Sequence, residues 1–265
     1  MPFKLTYQSF PSPNGPLQYA KVPWDSELYG FPFYELKCDN IPSEVLDKYL
    51  STWLSDLPIN CQCLVYTKIP SISVALNKVL VSHGFYPIET LFELHLPLGR
   101  FKPIRLRQDI HSNLSLMEES ELPEVIKIAK SAFSKDRLHI DPHLPPDKAG
   151  ERYARGVEKG FQEGDKIFTY KEKTIGKILG FVHIQEDSKK TVTLNLGAVD
   201  ITYQGTGIGV LIYQNVLEEC KALGYQAANT RISGNNLAVI NLLVSLGFKF
   251  HKAFQISHWF RAPWK

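Results

Sequence analysis

Two segments of this chain, LVSHGF at residues 80–85 and LVSLGF at residues 243–248, differ at a single position. Each closes an apolar run with helical spacing and opens a run of strand composition, and each follows an earlier strand-like segment. A strand–helix–strand order that recurs with the same punctuation predicts one supersecondary unit used twice in an α/β chain. Gly84 is the expected C-cap of the first copy's helix.

Around the first copy, spacing predicts a helix over 43–54, a strand over 63–69, a helix over 72–81 and a strand over 88–96. The compact segment VPWDSELYGFPFYEL precedes them. Residues 99–113 are polar and basic, with Arg100, Lys102, Arg105 and Arg107, and read as a linker. Beyond it the pattern predicts a helix over 121–133, a loop over 134–150 and strands over 166–170, 178–185 and 191–200. A helix over 207–223 stopped by Gly224, a strand over 226–232, a helix over 236–246 and a strand over 250–260 complete the chain. Two units are expected, residues 1–105 and 114–265.

A net charge of +3 is too small to suggest nucleic acid and suits an anionic small molecule. No basic amino-terminal region leads into an apolar stretch, and no apolar run could span a bilayer. The expectation is a cytoplasmic protein that works away from membranes. Cys38, Cys61, Cys63 and Cys220 complete no zinc set and read as buried free thiols.

Only the second unit has a glycine-rich turn between a strand and a helix, YQGTGIG at 203–209. Glycines let the backbone approach a ligand, and the helix that follows turns its free N–H groups and dipole on the turn, a site for a pyrophosphate. The dinucleotide pattern fails because Val210 stands at its third glycine. The P-loop pattern fails because no Lys-Ser or Lys-Thr follows. What remains is Q-x-x-G-x-G, from Gln204, Gly207 and Gly209.

That turn resembles the coenzyme A loop of the GNAT superfamily of N-acyltransferases. The resemblance runs from about residue 114 to the end. It includes the strand LNLGAVD and the helix pattern of Asn236, Val239, Leu242 and Gly247-Phe248. The segments WDSELYGF, SKDRLHIDPHLP and AFQISHWFR are further similar to two-part enzymes that acetylate the amine of dTDP-fucosamine, in which a degenerate amino-terminal half precedes the GNAT domain. The first LVS-x-GF would then belong to a copy without the coenzyme loop.

The resemblance implies a direct attack of an amine on an acyl-CoA thioester. It implies coenzyme contacts from Ala198, Val199, Gln204, Gly205, Thr206, Gly207, Ile208, Gly209, Asn236 and Leu243, with backbone near Ala198 and Val199 facing the acyl oxygen. Leu243 stands where the family often has a tyrosine that protonates the leaving thiolate, so no catalytic acid is identified; water or His258 could serve. A thiol of roughly pKa 8.5 leaves tolerably without one. Leu243 is either room for an acyl group longer than acetyl, such as 3-hydroxybutyryl, or core.

On the acceptor side, Trp24, Asp25, Tyr29, His139, Asp141, His143 and Asn195 are candidate contacts. His139-x-Asp141-x-His143 has a spacing that a metal could use, but hydrogen bonding to sugar hydroxyls is the preferred reading, with no metal expected. The expected activity is acylation of a dTDP-linked amino-deoxy sugar for a surface polysaccharide such as O-antigen. An aminoglycoside-like or peptide amine is the rival acceptor, and a silent acyl-CoA-binding module the rival class. The oligomeric state is open, a homodimer included.

Overall fold

The computed structural model describes residues 5–11, 15–58, 61–104 and 112–262. The first half runs β1 (Gln8–Phe10), β2 (Leu17–Lys21), α1 (Pro23–Tyr29), β3 (Phe33–Lys37), α2 (Ser43–Asp56), β4 (Cys63–Pro70), α3 (Val74–Ser82) and β5 (Tyr86–Pro97). The second runs β6 (Ser112–Leu116), α4 (Leu122–Ala132), α5 (Arg137–Ile140), α6 (Pro146–Gln162), β7 (Lys166–Glu172), β8 (Ile178–Ser188) and β9 (Thr191–Val199). It continues through α7 (Ile208–Ala222), β10 (Ala227–Ser233), α8 (Leu237–Ser245) and β11 (Lys249–Arg261). The mixed α/β class matches the expectation.

All eleven described strands join one sheet, ordered β1-β2-β3-β4-β11-β5-β10-β9-β8-β7-β6. Only β3–β4 and β9–β10 are parallel. The duplicated segments occupy equivalent places, at the ends of α3 and α8, where Gly84 (φ 84°) and Gly247 (φ 96°) take the left-handed conformation. The two units interlock. In β4-α3-β5 the last strand steps over β11, and in β10-α8-β11 the last strand steps over β5. Each half's final strand therefore lies inside the other half's sheet, and the antiparallel β5–β11 pair forms the seam.

Alternation along the strands sets the layers. Leu94 and Leu96 pack with α7 and α8, while Val65 and Ile69 pack with α2 and α3 on the same face. On the opposite face, α4 and α6 cover β8 and β9, and α1, α5 and α6 cover the start of β4. Between those helix groups a polar strip runs over β8, β9, β10 and β5, with Asn195 and Gln185 paired at 3.1 Å, Asn229 and His95 at 2.8 Å, and Arg231 and Glu93 at 2.8 Å.

The expected loop over 134–150 is a correction. It contains α5 and the first turn of α6. The buried face of α6 is built from Ala149, Gly150, Ala154, Gly156, Val157 and Gly160, too small to give a readable apolar period. Smallness here permits close packing: a Cβ on Gly160 would lie 2.5 Å from the His183 ring. Of the expected linker, residues 105–111, with Arg105 and Arg107, lie outside the described residues. Cys38, Cys63 and Cys220 are buried free thiols; Cys61 is half-buried. Among the described residues, no helix is long and apolar enough to cross a membrane.

Candidate functional site

Between β9 and α7 the chain makes a short turn held by its own side chains. Asp200 accepts from the Thr202 N–H at 2.8 Å, Thr206 Oγ1 donates to the Tyr203 carbonyl at 2.7 Å, and Gln204 Nε2 donates to the Val199 carbonyl at 3.2 Å. Gly205 and Gly207 have φ of 78° and 88°, and nothing stands within 4 Å of where a Cβ would be on either. Gly207 is the N-cap of α7, and no side chain caps that helix. The Val210 N–H bonds the Gly207 carbonyl at 3.0 Å, and the N–H groups of Ile208 and Gly209 before it stand uncapped by any side chain at the positive end of the dipole. Ile208 contributes only backbone, because its side chain is in the core. Gly209 lets α8 approach: a Cβ there would meet Leu242 Cδ1 at 3.2 Å.

Beside the turn the sheet opens. The β9–β10 ladder ends at Thr230–Leu194, where Thr230 Oγ1 also donates to the Leu194 carbonyl at 3.0 Å. From there β9 continues against β8 to Val199, and β10 continues against β5 to Ser233. A register shift around Asn195 starts the divergence. The Asp200 N–H bonds the Leu179 carbonyl at 2.9 Å, and antiparallel alternation from that pair directs the Ala198 amide at β8. The Gly197 and Val199 amides point into the split. Of the two residues read as turning backbone toward an acyl oxygen, Val199 directs its amide into the split and Ala198 directs its amide at β8.

Asn236 caps α8, its Oδ1 accepting from the Val239 N–H at 3.4 Å. Leu243 is 1% exposed within the core cluster under α7 and α8. Tyr213, which the sequence did not single out, sets its hydroxyl where a Gly197 Cβ would be, 2.2 Å from that point. A phenol therefore stands at β9 where Leu243 offers none.

On the other face, the expected acceptor residues fall into separate groups. Asp141 has a fully buried side chain; it accepts from Tyr86 Oη at 2.9 Å, the His143 N–H at 2.9 Å and His258 Nδ1 at 2.5 Å. Arg137 donates to His258 Nε2 at 3.0 Å and lies 4.1 Å over the Tyr66 ring. Guanidinium has only donors, so Nε2 accepts, Nδ1 carries the proton and His258 is neutral. With both nitrogens occupied and no exposure, His258 is not placed to protonate a leaving thiolate. His139 instead pairs with Asp136 at 2.5 Å and stacks on Tyr153. Among the described residues, no group of three or more His, Cys, Asp or Glu is placed to hold a metal ion.

Asp25, also fully buried, pairs with Arg152 Nε of α6 at 2.6 Å, tying the halves together. Tyr29 stacks on Phe33, its hydroxyl buried without a hydrogen-bond partner among the described residues. Trp24 borders a hollow against the outward side of α6, with Arg155 and Gln162.

The state of His258 has a measurable consequence. Burial, then the Arg137 charge, lowers its pKa to about 4, against the pull of Asp141. An unfolded histidine takes a proton near 6.5, so the unfolded state binds the extra proton between those values. Stability is full above about pH 6.5 and falls as pH drops toward about 4, by on the order of 3 kcal/mol. Melting temperature measured across that window should fall more steeply for the wild type than for His258→Asn, whose amide can donate to Asp141 without titrating. Equal slopes would contradict the neutral, buried assignment.

Residues 123–248 match the acetyltransferase (GNAT) family. Among characterised relatives, the spore coat polysaccharide biosynthesis protein SpsD of Bacillus subtilis is 21% identical over 195 residues, covering 73% of this chain and 65% of that protein. This chain therefore spans less than two thirds of that relative's length. A GCN5-related N-acetyltransferase from Sphaerobacter thermophilus has a similar fold, with a TM-score of 0.66 at 15% identity over 93% of this chain and 78% of that one. A tandem GNAT protein from the clavulanic acid biosynthesis pathway gives 0.59 at 10% identity, over 94% and 79%.

Proposed function

Residues 123–248 form a GNAT acetyltransferase domain, and from that premise we propose that this chain transfers an acyl group from coenzyme A to the amine of a dTDP-linked amino-deoxy sugar for a surface polysaccharide. The observation that carries the reading is the juxtaposition of an uncapped helix N-terminus at Gly207 with the β9–β10 split. A pyrophosphate at the turn would receive the α7 N–H groups, and the pantetheine arm would lead the thioester into the split. There the Gly197 and Val199 amides, fixed by the strand, would stabilise the oxyanion that forms as the amine attacks.

The Tyr213 phenol can protonate the departing thiolate; burial raises it to about 12, which keeps it protonated. Acetyl is the family's donor and the first to test. The burial of Leu243 supports its packing role over one in making room for 3-hydroxybutyryl. We assign residues 1–105 to a degenerate copy of the domain. After β3, where the second half has its glycines, it has CDNIP with Pro42 at the N-cap of α2, a turn without glycine.

The acceptor assignment draws on the polar strip over β8, β9, β10 and β5, to which both halves contribute, and on the polysaccharide role in the name of SpsD. The protein incubated with acetyl-CoA and a dTDP-linked amino sugar should release free thiol and yield the N-acylated nucleotide sugar by mass spectrometry. Acetyl-CoA binding without transfer to any amine would point instead to a silent acyl-CoA module.

A further inference from the structure

The sheet face that carries the polar strip continues past β5 onto β11 and β4. Along β4, Val65 and Ile69 turn to α2 and α3, so alternation places Leu64, Tyr66 and Lys68 on the face of the strip. The ladders set their neighbours. Lys68 stands opposite Ile256 of β11. One row on, Ser233 of β10, Leu91 of β5 and Phe254 of β11 follow one another across the sheet. Lys68 leans into that row, its ammonium 4.6 Å over the Phe254 ring.

An ammonium half-buried against apolar carbon is costly without a counter-charge. The neighbouring carboxylates are engaged elsewhere: Glu93 accepts from Arg231 Nε at 2.8 Å, and Glu35 of β3 accepts from the Tyr66 hydroxyl at 2.7 Å. Among the described residues, Lys68 makes no ion pair and no hydrogen bond. Burial, and then the Arg231 charge, lower the Lys68 pKa below its ordinary value, although Glu93, Glu35 and Asp39 pull the other way. An anion arriving from outside would supply what the fold does not.

The distance from this charge to the split decides which anion fits. Ser233 closes β10, three residues beyond the end of the β9–β10 ladder at Thr230. Phe254 lies two strands from it, with Leu91 between, which at about 4.8 Å per strand is about 10 Å. That span is the length of a hexose carrying a phosphate. The glycine turn, which faces α7, is on the other side of the sheet, so the two anion sites do not compete.

We propose that Lys68 holds the phosphoryl group joined to the acceptor sugar, so that this face takes a nucleoside-diphosphate sugar with its amine toward the split; this rests on the function proposed above. The ammonium brings a charge and three donors to the phosphate oxygens, while Leu91 and Phe254 form an apolar floor under the sugar. Binding then relieves a cost that the free protein carries.

Thymidine diphosphate is the probe, added to the full chain with coenzyme A at saturation so that the glycine turn is filled. Lys68→Met keeps the stem on Phe254 and removes the charge. It should weaken dTDP binding by calorimetry about 10- to 100-fold and raise KM for a dTDP-linked amino sugar similarly. Acetyl-CoA affinity and KM for the free amino sugar should not change. Its melting temperature should not fall, because the lost charge was unmatched; Lys68→Gln makes the same test should the Met variant fold poorly. Lys68→Arg should bind dTDP within severalfold of the wild type. Lys48→Met is the control: that ammonium also lies over a ring, Tyr49 at 5.1 Å, but on α2 across the sheet, and dTDP affinity should be unaffected. A wild type that does not bind dTDP, or a Lys68→Met protein that binds it as the wild type does, would overturn the assignment. The two readings fail separately. Binding of dTDP through Lys68 without acyl transfer would remove the proposed activity and keep this site. A linked sugar acylated by Lys68→Met with unchanged KM would remove this site and keep the activity.

Discussion

Gly207→Val is expected to abolish acetyl-CoA binding while the chain stays folded. At φ 88° a β-branched residue is strained by roughly 1–3 kcal/mol, and the turn would relax by moving the first N–H groups of α7 away from their common focus. The added isopropyl group would also enter the open space beside the helix N-terminus, the place proposed for phosphate. Both effects act on binding, so affinity by calorimetry should fall at least about a thousandfold, or roughly 4 kcal/mol. The fold should survive, because Gly207 is exposed and a domain of this size tolerates a strain of that order. Gly164→Val is the control. It has the same backbone sign, φ 81°, and an equally open surrounding at the end of α6, so it should be strained similarly and still bind acetyl-CoA. Unchanged affinity in Gly207→Val would remove the turn from the coenzyme site.

What the sequence showed and what it hid divide along a physical line. The turn at 203–209 was legible because glycine content, a preceding strand and a following helix are all local. The two LVS-x-GF copies were legible for the same reason. Their interlocking was not, since strand composition at 86–97 and 249–261 says nothing of which partner each strand takes, and the β5–β11 seam joins residues some 160 apart in sequence. The α6 helix escaped because its buried face is alanine and glycine. His258 and Asp141 were each noticed, yet their pairing across 117 positions was not, and it changes what His258 can do. Leu243 was noticed by its place in a motif, and the structure adds that it is packed.

The same interlocking bears on why the first half exists. The glycine turn and the split lie within residues 191–233, so in the proposed site the β5 and β11 strands of the seam take no part in holding acyl-CoA. They extend the polar strip and bring Tyr86 against Asp141 at the end of α5, while α1 brings Asp25 against Arg152 of α6. If that surface binds the base and phosphates of a nucleotide, energy from these remote groups orients the amine and raises kcat. The measurement that tests this most directly compares kcat/KM for a dTDP-linked amino sugar with that for the same sugar free, at one acetyl-CoA concentration. The proposed function predicts that the linked form is better by about a hundredfold or more, with part of the gain in kcat. Equal kcat/KM for the two would contradict it, and would leave the first half a structural partner of the second.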